Sequence, residues 1–394
     1  MAIYLLTFFL TGVFAYEAAD CKRRYRGALA CPALPGDGAG VPVLPYAPLS
    51  VTPPMRRRYL VRYRIWFWLA VLPLFLITAL RYDVGTDYFY TYVPEFYRIL
   101  KGESAGYSEW GFNTLIRAIQ VFTTNVQWLF CITGFLFTFL VVRTIILMSE
   151  NAPISVAVLF ASCVWFWSLN NVRQAIAAAV ILSVSPYMTK PCGANAVPLL
   201  AAVAFGVLFH KSVVVWLPVL VILYIPLCRR YFRILAPATL AALPLLCRLA
   251  EVLLRQTHYG GYFNSQFNSG TATTVPILYN GFFFLAAWWV LAKDMEKDTA
   301  AYAYVLIQYA AFLAATASIY LTMPEMISRI TMFFQMYQVL HIPRCYARIA
   351  PGRYGWRKYA VVAVYLLAYG AYLVRFILIK GYHGVLPYQW CFGK

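Results

Sequence analysis

Apolar runs make up most of the chain, and polar residues only punctuate them. Twelve such runs fall at roughly 2–17, 64–80, 126–148, 153–169, 172–187, 196–209, 212–227, 233–249, 275–292, 300–322, 325–343 and 360–380. Most approach the roughly 20 residues that carry a helix across a bilayer. Lipid offers no partner to an exposed N–H or C=O, so each run must satisfy its backbone within itself as a helix. The pattern predicts an all-α polytopic membrane protein with about 10–12 transmembrane helices. Some runs meet across only a few residues and are expected to be broken or re-entrant. Residues 1–394 read as a single integral membrane domain, with no visible internal repeat. Three stretches interrupt the apolar pattern: a basic, Pro/Gly-rich loop over 18–63, a loop over 81–125, and a polar loop over 250–274.

Composition agrees with this reading. The chain is 62% hydrophobic and 12% charged, whereas soluble domains are about a quarter charged. Nine cysteines are scattered without a CxxC pair, so no disulfide framework or zinc site is read from them. The net charge of +19 would suggest nucleic acid in a soluble protein, but here it reports topology, and no nucleic-acid partner is expected. The run "MAIYLLTFFLTGVFAY" has no basic residue before it and "CKRRYRG" after it, the opposite polarity to a cleaved signal. It reads as an uncleaved helix with its N-terminus outside. The greater part of the 33 Lys and Arg then falls at inside ends, in "CKRRYRG", "MRRRYLVRYR", "CRRYFR" and "PRCYARIAPGRYGWRK". The loop 18–63 is thereby cytoplasmic, and the loops 81–125 and 250–274 extracytoplasmic.

With that orientation the unusual polar clusters share the outer face. "RYDVGTDYFY" places Arg81, Asp83 and Asp87 among Tyr82, Tyr88 and Tyr90. In "SLNNVRQAIAAA", Asn170 or Asn171 suits a helix N-cap, and Arg173 follows in the first turn. Free N–H groups and an arginine there suit an anion, while the bland reading is an interfacial anchor. "FHKS" puts His210 and Lys211 at a break between two runs, where a neutral imidazole can accept a proton or simply be a hydrogen-bonded core residue. In "PEMISR", Glu325 and Arg329 lie four apart, as an ion pair or as an orienting acid and a ligand-facing cation. Phe112, Leu115, Ile116, Ile119 and Phe122 predict an amphipathic interfacial helix preceded by Glu109. No phosphate-binding glycine loop, HExxH or clustered metal-ligand set is present, and Asp83 with Asp87 alone is weak evidence for a cation site.

Five stretches occur in an order and spacing that resemble the EpsG family, related to Wzy-type polysaccharide polymerases. They are "RYDVGTDYFYTYVPEF", "SEWGFNTLIRAIQVF", "NNVRQAIAAAVILS", "AFGVLFHKSVVVWLP" and "ISRITMFFQMYQVLHIP". The resemblance covers most of residues 64–345, and the proline-rich 31–54 stretch looks like an insertion. It implies a GT-C-like membrane glycosyltransferase in the bacterial cytoplasmic membrane. Such an enzyme joins polysaccharide repeat units carried on undecaprenyl diphosphate at the outer face. The implied partners are that lipid-linked oligosaccharide and membrane lipids, with a flippase and a chain-length regulator as accessories. No cofactor is implied, and no divalent metal is expected.

The expected chemistry assigns roles. Arg81, Arg173, Arg329 and Lys211 are candidates to face the diphosphate, whose leaving builds negative charge. His210, Asp87 and Glu109 are candidates for the base that takes the proton of the attacking hydroxyl. Asn170, Gln174, Tyr88 and Tyr90 are further candidates to bind the substrate, the tyrosines offering ring faces to sugars. Two other readings compete: a polyprenyl-phosphate-sugar transferase using Asp83 and Asp87 with a metal, and a lipid-linked oligosaccharide transporter. The transporter would need functional polar residues on both sides and inverted repeats, neither of which is evident. The charge asymmetry makes a direct prediction. Single cysteines replacing Ser269 and Ser328 should react with impermeant thiol reagents from outside, and one replacing Asp298 should not. Reaction at Asp298 alone would invert the orientation.

Overall fold

The structure is a computed structural model. It describes residues 1–27, 53–106, 109–189, 193–257, 260–261, 274–321, 324–349 and 356–392. Each of the twelve apolar runs forms a helix or a broken helix. In chain order these are α1 (Ala2–Gly27), α2 (Pro53–Ala79), α3 (Val93–Leu100), α4 (Trp110–Gln120), α5 (Gln127–Met148), α6 (Ala152–Ala161) and α7 (Val164–Asn170). There follow α8 (Val172–Ser183), α9 (Ser185–Met188), α10 (Gly193–Phe209), α11 (Trp216–Tyr224), α12 (Pro226–Arg230) and α13 (Phe232–Arg255). The last are α14 (Thr274–Leu291), α15 (Thr299–Ala317), α16 (Pro324–Gln335), α17 (Gln338–Arg348) and α18 (Trp356–Leu373). Among the described residues there is no strand, and one isolated antiparallel bridge joins Arg81 to Trp390.

Among the described residues, seven helices are long and apolar enough to span a membrane, and α6 with α7 makes a further pair bent by 55°. The stretches 172–183, 193–209 and 211–224 are apolar but shorter. The chain is thus a multi-pass helical membrane protein. The short segments end where the sequence turns polar, at Asn170–Asn171 and at His210, which is why the expected spans divide there. Cys163 makes the α6–α7 bend in a left-handed conformation, φ 62°. Helix α1 runs ten residues past its expected end, because no Gly or Pro intervenes before Gly27 and Arg24 donates to Asp20 one turn back at 2.6 Å. The remainder of the Pro/Gly-rich loop, 28–52, lies outside the described residues, as does most of 258–273.

The core is built around α7 and α8. All seven residues of α7 are buried, and the small stretch Ala175–Ala179 lets α5 and α10 pack closely on α8. The two ends of the bundle carry different chemistry. At one end Arg344 pairs with Glu150 and Asp298, and Arg348 reaches Asp294 at 3.1 Å and Asp298 at 2.9 Å. The other end starts where Gln127 Nε2 donates to the backbone of Ala79 and Arg81, at the far end of the 22-residue α5. At 1.5 Å per residue the two ends stand about 33 Å apart.

At this second end, Arg81–Tyr90 forms a lip. Arg81 is only 1% exposed, and its guanidinium donates to the carbonyl of Val84 at 3.0 Å and to that of Leu169. It also lies over the faces of Phe130 and Tyr88. Gly85, with φ +101°, passes so close to Leu169 that a Cβ would sit 2.8 Å from its carbonyl oxygen. Residues 381–391 close over the lip: Gly85 and Thr86 donate to Gly384 and His383 carbonyls at 3.1 and 2.9 Å, and Tyr82 donates to Gln389 at 2.9 Å. Replacing Arg81 by Ala should strand buried carbonyls and destabilise the protein by about 1–3 kcal/mol. Lys, lacking the fork, should not restore it. Thermal melting of the detergent-purified protein reads this directly, and wild-type melting in Arg81→Ala would remove the locking role.

Candidate active site

The site assembles from loops and helix ends that are remote in sequence. Glu109 immediately precedes α4, whose buried Phe112, Ile116 and Ile119 dock inward. Phe122, expected on the same face, lies beyond the helix end and is 88% exposed. Gly111 lets α4 approach the end of α10, since a Cβ there would stand 2.6 Å from Leu208 Cβ and 2.8 Å from its carbonyl. That approach brings Glu109 beside the residue where α10 breaks. Glu109 Oε1 lies 3.4 Å from His210 Nδ1, and Oε2 accepts from Arg173 at 2.8 Å. Arg173 also lies over the Phe112 ring. His210 itself has extended backbone, φ −159°, between α10 and the short turn Lys211–Val215.

The charges set the protonation states. Burial pushes the Glu109 carboxyl up, but the His210 interaction and the Arg173 charge outweigh it and hold the group below its usual value. Burial pushes the His210 imidazole down, Glu109 pulls it up, and the charges of Arg173 and Arg329 help keep it below its usual value. The resting pair is therefore a carboxylate beside a neutral imidazole. Asp87 is partly buried, and burial raises its carboxyl against the opposing charges of Arg329 and Arg173.

The other expected residues divide into those that border this cluster and those that build it. Arg329 is exposed and electrostatically coupled to both His210 and Asp87, and among the described residues it forms no ion pair. The Glu325 side chain lies outside what the structure describes, so the Glu325–Arg329 pairing is not assigned. Lys211 is exposed next to His210. Asn170 ends α7 and gives its Oδ1 to the lip, accepting from Thr86 Oγ1 at 2.6 Å and from Asp87 N at 2.8 Å. Asn171 holds the N-cap position of α8, but its side chain makes no capping bond. The Val172 N–H instead donates to the Tyr92 hydroxyl at 2.9 Å, so part of the expected free helix terminus is taken. Gln174 donates to the Arg329 carbonyl at 2.7 Å and so positions α16.

Three expectations place side chains away from the cluster. Arg81 is buried and committed to backbone carbonyls, so it locks the lip and does not present its charge to a ligand. Tyr88 is also buried, stacked on Phe130 with ring centroids 4.4 Å apart. Tyr90 is 89% exposed at the outer surface of the lip. Among the described residues no three His, Cys, Asp or Glu side chains gather as a metal-ligand set.

A family model for EpsG matches residues 64–390. The chain belongs to the EpsG family. This is a family of Wzy-like, polysaccharide-polymerase-related membrane proteins, associated with glycosyltransferase-like polymerases. No curated protein and no solved structure matches the chain significantly. The EpsG match extends past the last apolar run, into residues that sequence reading passed over. Lys380 and His383, in "KGYHGVLPYQW", border the same end of the EpsG fold as Arg329 and Asn170. The signal was present: a lysine and a histidine following the last run on the same side as the other polar clusters.

The Gly111 contact gives a direct test of the cluster. Gly111→Ala should push α4 from Leu208 and draw Glu109 away from His210. The imidazole then loses the interaction that raises it, and its pKa should fall further. Nitrogen NMR titration of the histidine-labelled protein measures this, and an unchanged His210 titration would show that α4 does not set the pair.

Proposed function

We propose that this protein is a polymerase that joins undecaprenyl-diphosphate-linked polysaccharide repeat units on the outer face of the bacterial cytoplasmic membrane. The observation that carries the reading is His210, held at a helix break against the Glu109–Arg173 ion pair and within the field of Arg329, which forms no ion pair among the described residues, in a chain of the EpsG family. Such an arrangement suits glycosyl transfer from a diphosphate. A neutral imidazole with its proton on Nδ1 faces Glu109 Oε1 across 3.4 Å, a contact longer than a formed hydrogen bond that a small ring rotation would close, and leaves Nε2 as the acceptor. Glu109 is then a positioning residue, and Arg173 keeps it ionised.

In the proposed reaction the hydroxyl of the incoming unit attacks the anomeric carbon of the growing chain. Its proton passes to His210 Nε2 as the new glycosidic bond forms. The bond from the anomeric carbon to the diphosphate oxygen breaks, and its electron pair leaves with the diphosphate. The negative charge that builds there faces Arg329, with Arg173 adding to the local potential. Asp87, the other candidate base, sits on the lip, where burial raises its carboxyl. The partners follow from the substrate: the lipid-linked oligosaccharide, surrounding lipids, a flippase that delivers it, and a chain-length regulator. No metal takes part in these steps.

The pH dependence has a definite sign. A base works deprotonated, so activity is lost as pH falls through the His210 pKa. Because that pKa is depressed, the acid limb should lie below about pH 6.5. Glu109→Gln removes the interaction that raises His210, so the limb should move lower still. His210→Ala should cost about 10²–10⁴-fold in rate. Polymerisation of purified lipid-linked repeat units across roughly pH 5 to 8 measures all three, and EDTA should leave the rates unchanged. A His210→Ala variant within a few-fold of wild type at every pH would move the base elsewhere.

A further inference from the structure

Arg329 also borders a cavity of about 350 Å³ between α16, the lip and the residues that follow α18. Its polar wall includes Asn170, Asn171, Arg329, Lys380 and His383, and no Asp or Glu lines it among the described residues. Neither Arg329 nor Lys380 is in an ion pair among the described residues. Its opposite character comes from Tyr372 and Phe376, and the chain then reaches Leu378 and Ile379, which are exposed apolar residues at the end of the last span.

His383 is the unusual member. It is 8% exposed, and its Nε2 has no hydrogen-bond partner among the described residues. A buried, unpaired polar atom is costly, so it points to a ligand that completes it. The residue also holds φ 67°, a left-handed conformation that a non-glycine side chain rarely adopts. Its carbonyl accepts from Thr86 N at 2.9 Å, which fixes the strained residue to the lip. Burial and the nearby Arg329 push its imidazole down to about 3, so it is neutral and can donate a hydrogen bond without a second charge.

We propose that this cavity is an anion subsite that binds the diphosphate of a polyprenyl-linked substrate, with Arg329 and Lys380 as its cations and His383 as a hydrogen-bonding partner. The anion subsite stands on the lining alone; the polyprenyl group rests on the polymerase reading. A diphosphate offers several acceptor oxygens and two or more negative charges, which match a neutral donor and two cations that form no ion pair among the described residues. The apolar wall leading to Leu378 and Ile379 suits the first isoprene units of the lipid. Arg329, coupled to both histidines, joins this subsite to the base at His210.

Binding by the purified full-length protein in nanodiscs tests the assignment, with inorganic pyrophosphate, farnesyl diphosphate, farnesol and phosphatidylglycerol as probes. Lys380 is exposed, so Lys380→Gln should fold normally. It should weaken pyrophosphate and farnesyl diphosphate about tenfold and leave farnesol unchanged. His383→Gln should weaken the same two probes, while the exposed Lys101→Gln should not. Wild-type affinity for pyrophosphate in Lys380→Gln, or a preference for phosphatidylglycerol over farnesyl diphosphate, overturns the subsite. The two readings fail separately. If His210→Ala polymerises normally while Lys380→Gln loses pyrophosphate, the subsite stands and the catalytic reading falls. If His210→Ala is inactive while Lys380→Gln binds as wild type, the subsite falls and the catalytic reading stands.

Discussion

The buried guanidinium of Arg81 is the constraint on which the functional end depends. A cation without a carboxylate partner is costly to bury, and burial lowers the Arg81 pKa to about 10, still well above neutral pH. Backbone carbonyls of Val84 and Leu169 and the faces of Phe130 and Tyr88 offset that cost. Because the carbonyl of Leu169 belongs to α7, the lip cannot drift from the residues that precede α8. Asn170 then receives Thr86 and Asp87 at fixed distances, and Tyr92 reaches the start of α8. Arg173 and Gln174 follow on that helix, so one buried arginine sets the frame in which Glu109 and His210 meet and Arg329 acts on His210 through its charge.

Within that frame the electrostatics are balanced rather than accumulated. Glu109 is shared between a permanent cation and a titratable ring. Removing either partner changes what the other experiences, so the three residues act as a unit and their effects should not add. Arg329 lies outside this exchange. It forms no ion pair among the described residues, although the Asp87 carboxyl feels its charge, so its guanidinium stays open to an incoming anion.

Much of this was legible in the sequence, and the limits have physical causes. The apolar runs gave the helices because lipid leaves the backbone no other choice. The breaks at Asn170–Asn171 and His210 were legible because polar pairs interrupt otherwise continuous apolar segments. Periodicity could not tell whether Arg81 faces a ligand or the core, because its partners are carbonyls 3 and 88 positions away. The sequence marks Glu109 as a candidate base but hides its partners, which lie at 173 and 210, and the approach that joins them depends on the missing Cβ of Gly111. Gln174 looked like a ligand contact and instead holds a carbonyl of α16. Lys380 and His383 follow the last apolar run on the side of the other polar clusters, but their tie to the lip runs through the distant pairing of residues 381–391, which no local pattern marks.

That pairing also orders events during synthesis. Tyr4 donates to the carbonyl of Val385 at 2.7 Å, 381 positions along the chain, and residues 383–391 complete the hydrogen bonding of a lip translated some 300 residues earlier. Most of the helices can be inserted while Gly85, Thr86 and Tyr82 still lack their partners. The cavity therefore closes only after the last span has been delivered to the membrane. A ribosome that stalls, or a protease that clips after α18, yields a chain whose helices are in place and whose pocket is open on one side.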